Sequence, residues 1–157
     1  MGDIHTTNKL LHMLTPETTA FAQKVSDWRE AIRLAGQLLL KEQSISAEYI
    51  DECVQVAEEV GAYFVVRPGV AISHARPGEN VKRVCLSTVT LDPPVCFGHP
   101  DNDPVTLLFM FGTRDNDGHI DLLRDLSKVL SNDEMVERIM KATEFKPMYD
   151  DLHQMLS

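Results

Sequence analysis

Cysteines are few in this chain of 157 residues, and basic residues are outnumbered by acidic ones. The three cysteines, Cys53, Cys85 and Cys96, form no CxxC pair, so neither a disulfide framework nor a zinc site is indicated. We expect each of them to be a small buried hydrophobe. With 15 Lys and Arg against 24 Asp and Glu, the net charge is −9. This balance argues against nonspecific binding of nucleic acid or of an anionic membrane surface, and it is compatible with a basic protein partner.

Long apolar runs are also missing. No stretch approaches the roughly 20 apolar residues that cross a bilayer, and the N-terminus shows no basic segment followed by an apolar run. We therefore expect a cytoplasmic protein. The length predicts one domain over residues 1–157, with residues 1–25 as an N-terminal arm of short elements.

Apolar periodicity predicts helices at both ends of the chain and strands between them. Helices are expected over 27–41, 47–60, 120–130, 133–141 and 146–156, with N-caps at Ser26, Ser46 and Asn132 and a stop at Gly61. Short strands are expected over 63–66, 70–72, 84–91 and 105–111, the third of them ended by Pro93-Pro94. This order favours an α/β fold, a single-domain sandwich whose central sheet is covered by helices on both faces.

Histidines are the candidate functional residues because three of the six lie where strands end or helices begin. These are His74, His99 and His119, whereas His5, His12 and His153 are expected to be ordinary surface residues. A histidine that carries a phosphoryl group needs one exposed, unprotonated nitrogen and a second nitrogen held as N–H. A second imidazole nearby can donate a hydrogen bond to the phosphoryl oxygens. His74 and His119 fit these requirements in kind, although a histidine at a strand end is more often purely structural.

Two other interpretations of these segments are weaker. His99, Asp101 and Asp103 have side chains of the kinds that can bind a metal ion. A loop dense in Pro and Asn is more simply interpreted as a turn whose side chains cap their own backbone. A hydrolase built on Ser73 and His74 is weaker, because adjacent residues of a strand point to opposite faces.

The segment GVAISHAR at residues 69–76 resembles the active-site segment of a known family. That family is the enzyme IIA (EIIA) domains of the phosphoenolpyruvate-dependent sugar phosphotransferase system (PTS), of the mannitol/fructose type. A second match, DGHIDLLRDL at 117–126, resembles the later helix that carries the family's second active-site histidine. Residues 61–77, 86–92 and 97–104 look most like the ascorbate-type branch and its cryptic-mannitol relatives.

The resemblance implies a mannitol-type EIIA fold with a mixed central sheet, and it implies roles for two histidines. His74 would be the phosphoacceptor, at Nε2, and His119 would stabilise the phosphoryl oxygens. Phosphorylated HPr would be the donor and the cysteine of a cognate EIIB the acceptor, with a membrane EIIC engaged only indirectly. No metal and no organic cofactor is implied. The alternative is a regulatory module of the same fold that responds to phosphorylation.

Two departures from the family pattern stand out near His74. Ser73 occupies the place of the usual proline, which restores a backbone N–H and adds a hydroxyl. Glu58 stands where the mannitol/fructose branch has an arginine. Arg76 is a candidate to supply positive charge instead, and Arg67 is a weaker one. An apolar rim around His74 is expected, because two proteins must dock there in turn.

Overall fold

The computed structural model of the chain describes residues 9–156, with the side chain of Ala62 excepted. His5 and the start of the predicted N-terminal arm lie outside the described residues. The remainder of that arm forms short elements: helix α1 (Lys9–Met13), a 3-10 turn (Pro16–Thr18) and strand β1 (Thr19–Gln23).

The remaining elements follow the predicted order of helices, strands and helices. They are α2 (Trp28–Lys41), α3 (Ala47–Val60), a 3-10 turn (Gly61–Phe64), β2 (Val65–Arg67), β3 (Val70–Ser73), β4 (Cys85–Val95), β5 (Val105–Gly112), α4 (Asn116–Leu130), α5 (Asp133–Lys141) and α6 (Phe145–Leu156). None of the helices within residues 9–156 is long and apolar enough to span a bilayer.

One mixed sheet joins the five strands in the order β1-β4-β5-β3-β2. Strand β1 runs parallel to β4 and β3 runs parallel to β5, whereas the β4/β5 and β2/β3 pairs are antiparallel. Helices cover both faces, so the predicted α/β sandwich is confirmed. Strand β1 is an edge strand that the weak periodicity of the N-terminal arm did not predict.

The sheet separates two apolar layers, as the alternation of side chains along β5 illustrates. Leu108 and Met110 pack with α2 and α3, whereas Phe109 and Phe111 pack with α1, α4, α5 and α6. Strand β5 is therefore buried on both faces, which agrees with its continuous apolar run. Its C-terminal end lies between the two layers, beside the end of β3.

Several predicted caps and boundaries are confirmed. Asn132 accepts a hydrogen bond from the Met135 N–H at 2.9 Å, and Gly61 ends α3 with φ +68°. Ser46 stands at the N-cap of α3, but its hydroxyl faces Asn80 instead of the helix amides.

Other boundary predictions were wrong. Asp27, and not Ser26, caps α2, because its carboxylate accepts from the Glu30 N–H at 2.9 Å. The Ser26 hydroxyl donates instead to the Glu30 carboxylate. Helix α4 begins at Asn116, four residues earlier than Ile120, because the Asp115 side chain caps it. The run that begins at Tyr63 starts as a 3-10 turn, and only its end is a strand.

Strand β4 continues through Pro93-Pro94, where the sequence predicted a break. The pairing of β4 with β5 shifts register between Thr90 and Val95. Proline lacks an N–H, but at this irregular stretch the loss removes no bond from the ladder. Cys53 and Cys85 are buried as expected, whereas Cys96, one residue beyond this strand, is exposed, so its predicted burial was wrong.

Candidate functional site

His74 follows directly on the last residue of β3, and its ring lies flat on the ring of Phe111. The two ring centroids are 4.7 Å apart and the planes are inclined by 13°. Phe111 belongs to β5, the strand that pairs with β3, and it is fully buried. A rigid aromatic base thus supports the imidazole, which keeps the ring at the end of the sheet and half-buried.

His119 lies in the first turn of α4 and meets His74 edge to face. Its ring centroid is 5.0 Å from that of His74 and 5.1 Å from that of Phe111. Asp115 fixes the start of this helix: its carboxylate accepts from the Gly118 N–H at 2.7 Å, and its carbonyl accepts from the His119 N–H at 3.2 Å. The fold therefore brings together the two histidines that the sequence singled out.

Both imidazoles are neutral near pH 7. Burial and, less strongly, the neighbouring His119 lower the pKa of His74 to about 4, although the Ile72 backbone carbonyl acts in the opposite direction. Burial also lowers the pKa of His119. A neutral ring keeps a lone pair on one nitrogen, which a nucleophile at phosphorus requires.

The two nitrogens of each ring differ in their access to solvent. Nδ1 is buried in both His74 and His119 and forms no well-aligned hydrogen bond with the described residues. Nε2 is buried in neither ring, so it is the nitrogen that faces outward. For His74 this geometry suits chemistry at Nε2 with the proton on Nδ1, whereas His119 in the other neutral tautomer carries its proton on Nε2 and is a donor there.

A groove of about 330 Å³ opens beside the His74 ring. Its walls are mainly apolar and come from α3, the 3-10 turn Gly61–Phe64 and the end of β3. The lining residues are Cys53, Val56, Ala57, Val60, Tyr63, Phe64, Ser73 and His74. Tyr63 is 83% exposed and Val60 49%, so part of this apolar lining faces solvent. The expected apolar rim next to His74 is therefore present.

Ser73 and Cys53 lie together at the floor of this groove. Ser73 is the last residue of β3, and its hydroxyl neighbours the Cys53 thiol on the face of the sheet opposite to Phe111. Burial raises the pKa of Cys53 to about 12, so the thiol stays protonated and is a poor nucleophile. Nothing in this arrangement pairs the Ser73 hydroxyl with the His74 ring, as a hydrolase would need.

The loop around His99 is a turn held by its own side chains. The Asp103 carboxylate accepts hydrogen bonds from the backbone N–H groups of Phe97, Gly98 and His99 at 2.7 to 3.1 Å. Nδ1 of His99 accepts from the backbone N–H groups of residues 101 and 102. The hydrogen bonds agree with the turn interpretation, and no group of three or more metal-ligating side chains occurs within residues 9–156.

The candidate basic residues near His74 have different surroundings. Arg76 is exposed and forms no ion pair with the part of the chain that the structure describes. Arg67 points away from the site, to the Leu130 carbonyl and to Asp133 at 3.0 Å. Glu58 is paired with Arg29 at 3.0 Å.

The N-terminal and C-terminal histidines agree with the surface role that we expected. His12 in α1 and His153 in α6 are both exposed. Phe111, in contrast, is a site residue that sequence reasoning assigned only to the core. Its position in an apolar run gives no local signal, because its role depends on the pairing of β3 with β5.

Comparison with known proteins identifies relatives over most of the chain. The family model described as "Phosphoenolpyruvate-dependent sugar phosphotransferase system, EIIA 2" matches residues 12–155. The ascorbate-specific PTS system EIIA component of Escherichia coli K12 is 33% identical over 113 residues, which cover 71% of this chain and 73% of that protein. Both findings agree with the predicted family, and the second agrees with the predicted branch.

Solved structures agree on the fold. The mannitol-specific cryptic phosphotransferase enzyme IIA CmtB of E. coli superposes with a TM-score of 0.82 at 28% identity, over 93% of this chain and 99% of that one. An E. coli complex of the mannitol enzyme IIA with phosphorylated enzyme IIB contains a chain of the same fold. It has a TM-score of 0.77 at 22% identity, over 91% of this chain and 96% of that one.

Proposed function

The chain belongs to the EIIA 2 family of the phosphoenolpyruvate-dependent sugar phosphotransferase system, and from this we propose that it is a phosphocarrier acting through His74. In this proposal, phosphorylated HPr donates a phosphoryl group to Nε2 of His74 in the cytoplasm. The cysteine of a cognate EIIB then accepts the group for transport-coupled sugar phosphorylation. The observation that carries the proposal is the contact of two neutral imidazoles at 5.0 Å beside an apolar groove.

The first transfer needs a lone pair that faces the incoming phosphorus. The lowered pKa of His74 keeps its ring unprotonated at pH 7, and its outward nitrogen is Nε2. As the Nε2–P bond forms, the bond between phosphorus and the donor breaks, and the donor leaves with that electron pair. The buried Nδ1 keeps its proton throughout, and the nearby Ile72 carbonyl is suited to stabilise the positive charge that develops on the ring.

The second transfer reverses the roles of nucleophile and leaving group. A thiolate of EIIB attacks phosphorus, the Nε2–P bond breaks, and His74 regains its lone pair. Because both steps are exchanges at phosphorus between positioned nucleophiles, geometry and electrostatics suffice and no cofactor is required.

His119 is proposed to donate a hydrogen bond to the phosphoryl oxygens. Its ring stands edge-on to the His74 ring, and its Nε2 faces outward as well. A neutral donor stabilises the spread negative charge of the transition state without the tight hold that a fixed cation would exert. The supporting roles expected for Ser73 and Arg76 remain proposals: Ser73 lines the groove, and Arg76 is an exposed residue two positions after His74.

The groove next to His74 is proposed as the common docking surface of HPr and EIIB. Its exposed Tyr63 and Val60 provide apolar contact area, which is a usual feature of the centre of a protein interface. The related fold seen in complex with a phosphorylated enzyme IIB supports EIIB as one partner.

Ascorbate is the substrate that we propose for the system, because the curated relatives at 31 to 37% identity are ascorbate-specific EIIA components. The carrier itself would touch only proteins and the phosphoryl group. The rate of transfer to an ascorbate-type EIIB, compared with a mannitol-type EIIB, tests this choice. Equal rates, or a faster mannitol-type reaction, would contradict it.

The central experiment is incubation with phosphoenolpyruvate, enzyme I and HPr, followed by intact-mass measurement. The mass is expected to rise by one phosphoryl group in the wild type and in His153→Ala, an exposed histidine on α6, but not in His74→Ala. For His119→Ala we expect phosphorylation of His74 with slower passage to EIIB. A wild-type protein that gains no mass with active partners would refute the proposal, and a phosphorylated protein that transfers to no EIIB would favour the regulatory alternative.

A further inference from the structure

The hydroxyl of Tyr49 lies inside the fold, where it contacts the backbone of two residues beside the His74 site, Phe111 and Ala75. Tyr49 is on α3 and is fully buried. Its hydroxyl donates to the Phe111 carbonyl at 2.8 Å and accepts from the Ala75 N–H at 3.0 Å. Burial raises the pKa of this phenol above its ordinary value of 10, so the proton needed for the first bond is retained.

These two partners are the backbone groups that would otherwise bond to each other. Strands β3 and β5 pair in parallel up to Ser73 opposite Met110. If that register continued, Ala75 would lie opposite Gly112, and its N–H would donate directly to the Phe111 carbonyl. The Tyr49 hydroxyl stands between them and replaces one ladder bond by two.

The insertion separates the strands at the position of the phosphoacceptor. One direct hydrogen bond spans about 2.9 Å, whereas the path through the hydroxyl consists of two bonds of 2.8 and 3.0 Å. His74 lies between Ser73, the last residue of β3 that pairs directly with β5, and Ala75, whose N–H reaches β5 only through the hydroxyl. Its ring rests on Phe111, whose carbonyl is the other bridged group.

We infer that Tyr49 is a positioning residue for the phosphoryl transfer proposed above: its hydroxyl splays β3 from β5 and so sets the His74 ring over Phe111 and against His119. This inference rests on the proposed function for its kinetic consequence, but its geometric part is independent of it. Tyr49 touches neither the phosphoryl group nor a partner protein, and it acts only through the backbone on either side of His74.

The test is Tyr49→Phe, which removes one oxygen and keeps the ring. Without the hydroxyl the strands are expected to close up, or the two buried backbone groups to move towards other partners, and either movement shifts the His74 ring relative to His119. A displacement of about 1 Å costs up to about 100-fold in rate. We therefore expect the kcat of phosphoryl transfer from phosphorylated HPr to fall 10- to 100-fold, roughly, while the KM for HPr stays near the wild-type value because the groove is intact.

Two matched variants separate positioning from loss of stability. Tyr149→Phe, on α6 in the other apolar layer, removes a tyrosine hydroxyl and is expected to leave the rate unchanged. Ile32→Val deletes a methylene in the same buried layer as Tyr49 and costs about 0.5 to 1.5 kcal/mol. A Tyr49→Phe rate no lower than that of Ile32→Val would overturn the inference.

NMR titration of the histidine ring protons gives a readout that does not depend on partners. In Tyr49→Phe the midpoint for His74 is expected to rise from about 4 towards 6.5, because the displaced ring is less buried. An unchanged midpoint would overturn the inference. This holds even if HPr fails to phosphorylate the wild type, because that failure would refute only the proposed function. If the variant is unfolded in buffer, trimethylamine N-oxide is added; a chain that stays unfolded there would also overturn it, since the hydroxyl would then serve the fold itself.

Discussion

Mild acid should destabilise this protein through His74. The unfolded chain binds a proton on this residue near pH 6.5, whereas the folded protein does not do so until about pH 4. Between these values the unfolded state therefore binds more protons than the folded state, and stability must fall as the pH falls. Above pH 6.5 both states are neutral at this residue, and the effect vanishes.

The size of the effect follows from the difference between the two pKa values. One pKa unit corresponds to about 1.4 kcal/mol. His74 alone is thus expected to lower the free energy of unfolding by about 3 kcal/mol between pH 7 and pH 4. This is a large part of the 5 to 15 kcal/mol, roughly, that stabilises a typical domain. His119 contributes in the same direction, because burial lowers its pKa as well.

Urea denaturation at a series of pH values measures this dependence. The wild type is compared with His74→Gln, and the difference between the two curves isolates His74, because contributions from all other groups largely cancel. The wild type is expected to lose about 3 kcal/mol more than the variant between pH 7 and pH 4. His153→Gln is the control and should follow the wild type. Parallel curves for the wild type and His74→Gln would refute the assignment of a buried, neutral His74.

Three further perturbations probe the scaffold around the site. Gly36→Ala places a Cβ 2.7 Å from Cγ1 of Ile50, so thermal unfolding should show a loss of about 1 to 3 kcal/mol; an unchanged Tm would contradict the close approach of α2 and α3. Asp103→Ala leaves three backbone N–H groups without their acceptor, and we expect a loss of about 2 kcal/mol in urea denaturation with phosphorylation retained; lost phosphorylation in a folded variant would give this loop a role in transfer. Asp115→Ala removes the cap of α4 and should cost about 1 kcal/mol and slow transfer to EIIB, whereas a slower transfer without any loss of stability would point to a direct role of the carboxylate.

Local patterns in the sequence were sufficient to predict the elements whose bounds depend on neighbouring residues. The apolar stripe of 27–41, the Asn132 cap and the Gly61 stop depend on residues within one or two turns, so periodicity and capping preferences predicted them. The same reasoning failed at Pro93-Pro94, because whether a proline breaks a strand depends on the pairing of the neighbouring strand at that point. It also missed β1, which pairs in parallel with β4, a strand distant from it in the sequence.

The sequence by itself determined that His74 ends a strand and that His119 opens a helix, and the motifs around them identified the family. Only the tertiary structure decided that the two rings lie 5.0 Å apart, that both stay neutral, and that Phe111 supports them. Contact, burial and the resulting pKa values arise between segments distant in sequence, and no local pattern encodes them. Tyr49 is the clearest case: within α3 it is one more core residue of an amphipathic helix. Its hydroxyl gains a role only because the strands β3 and β5 meet it at the end of their ladder.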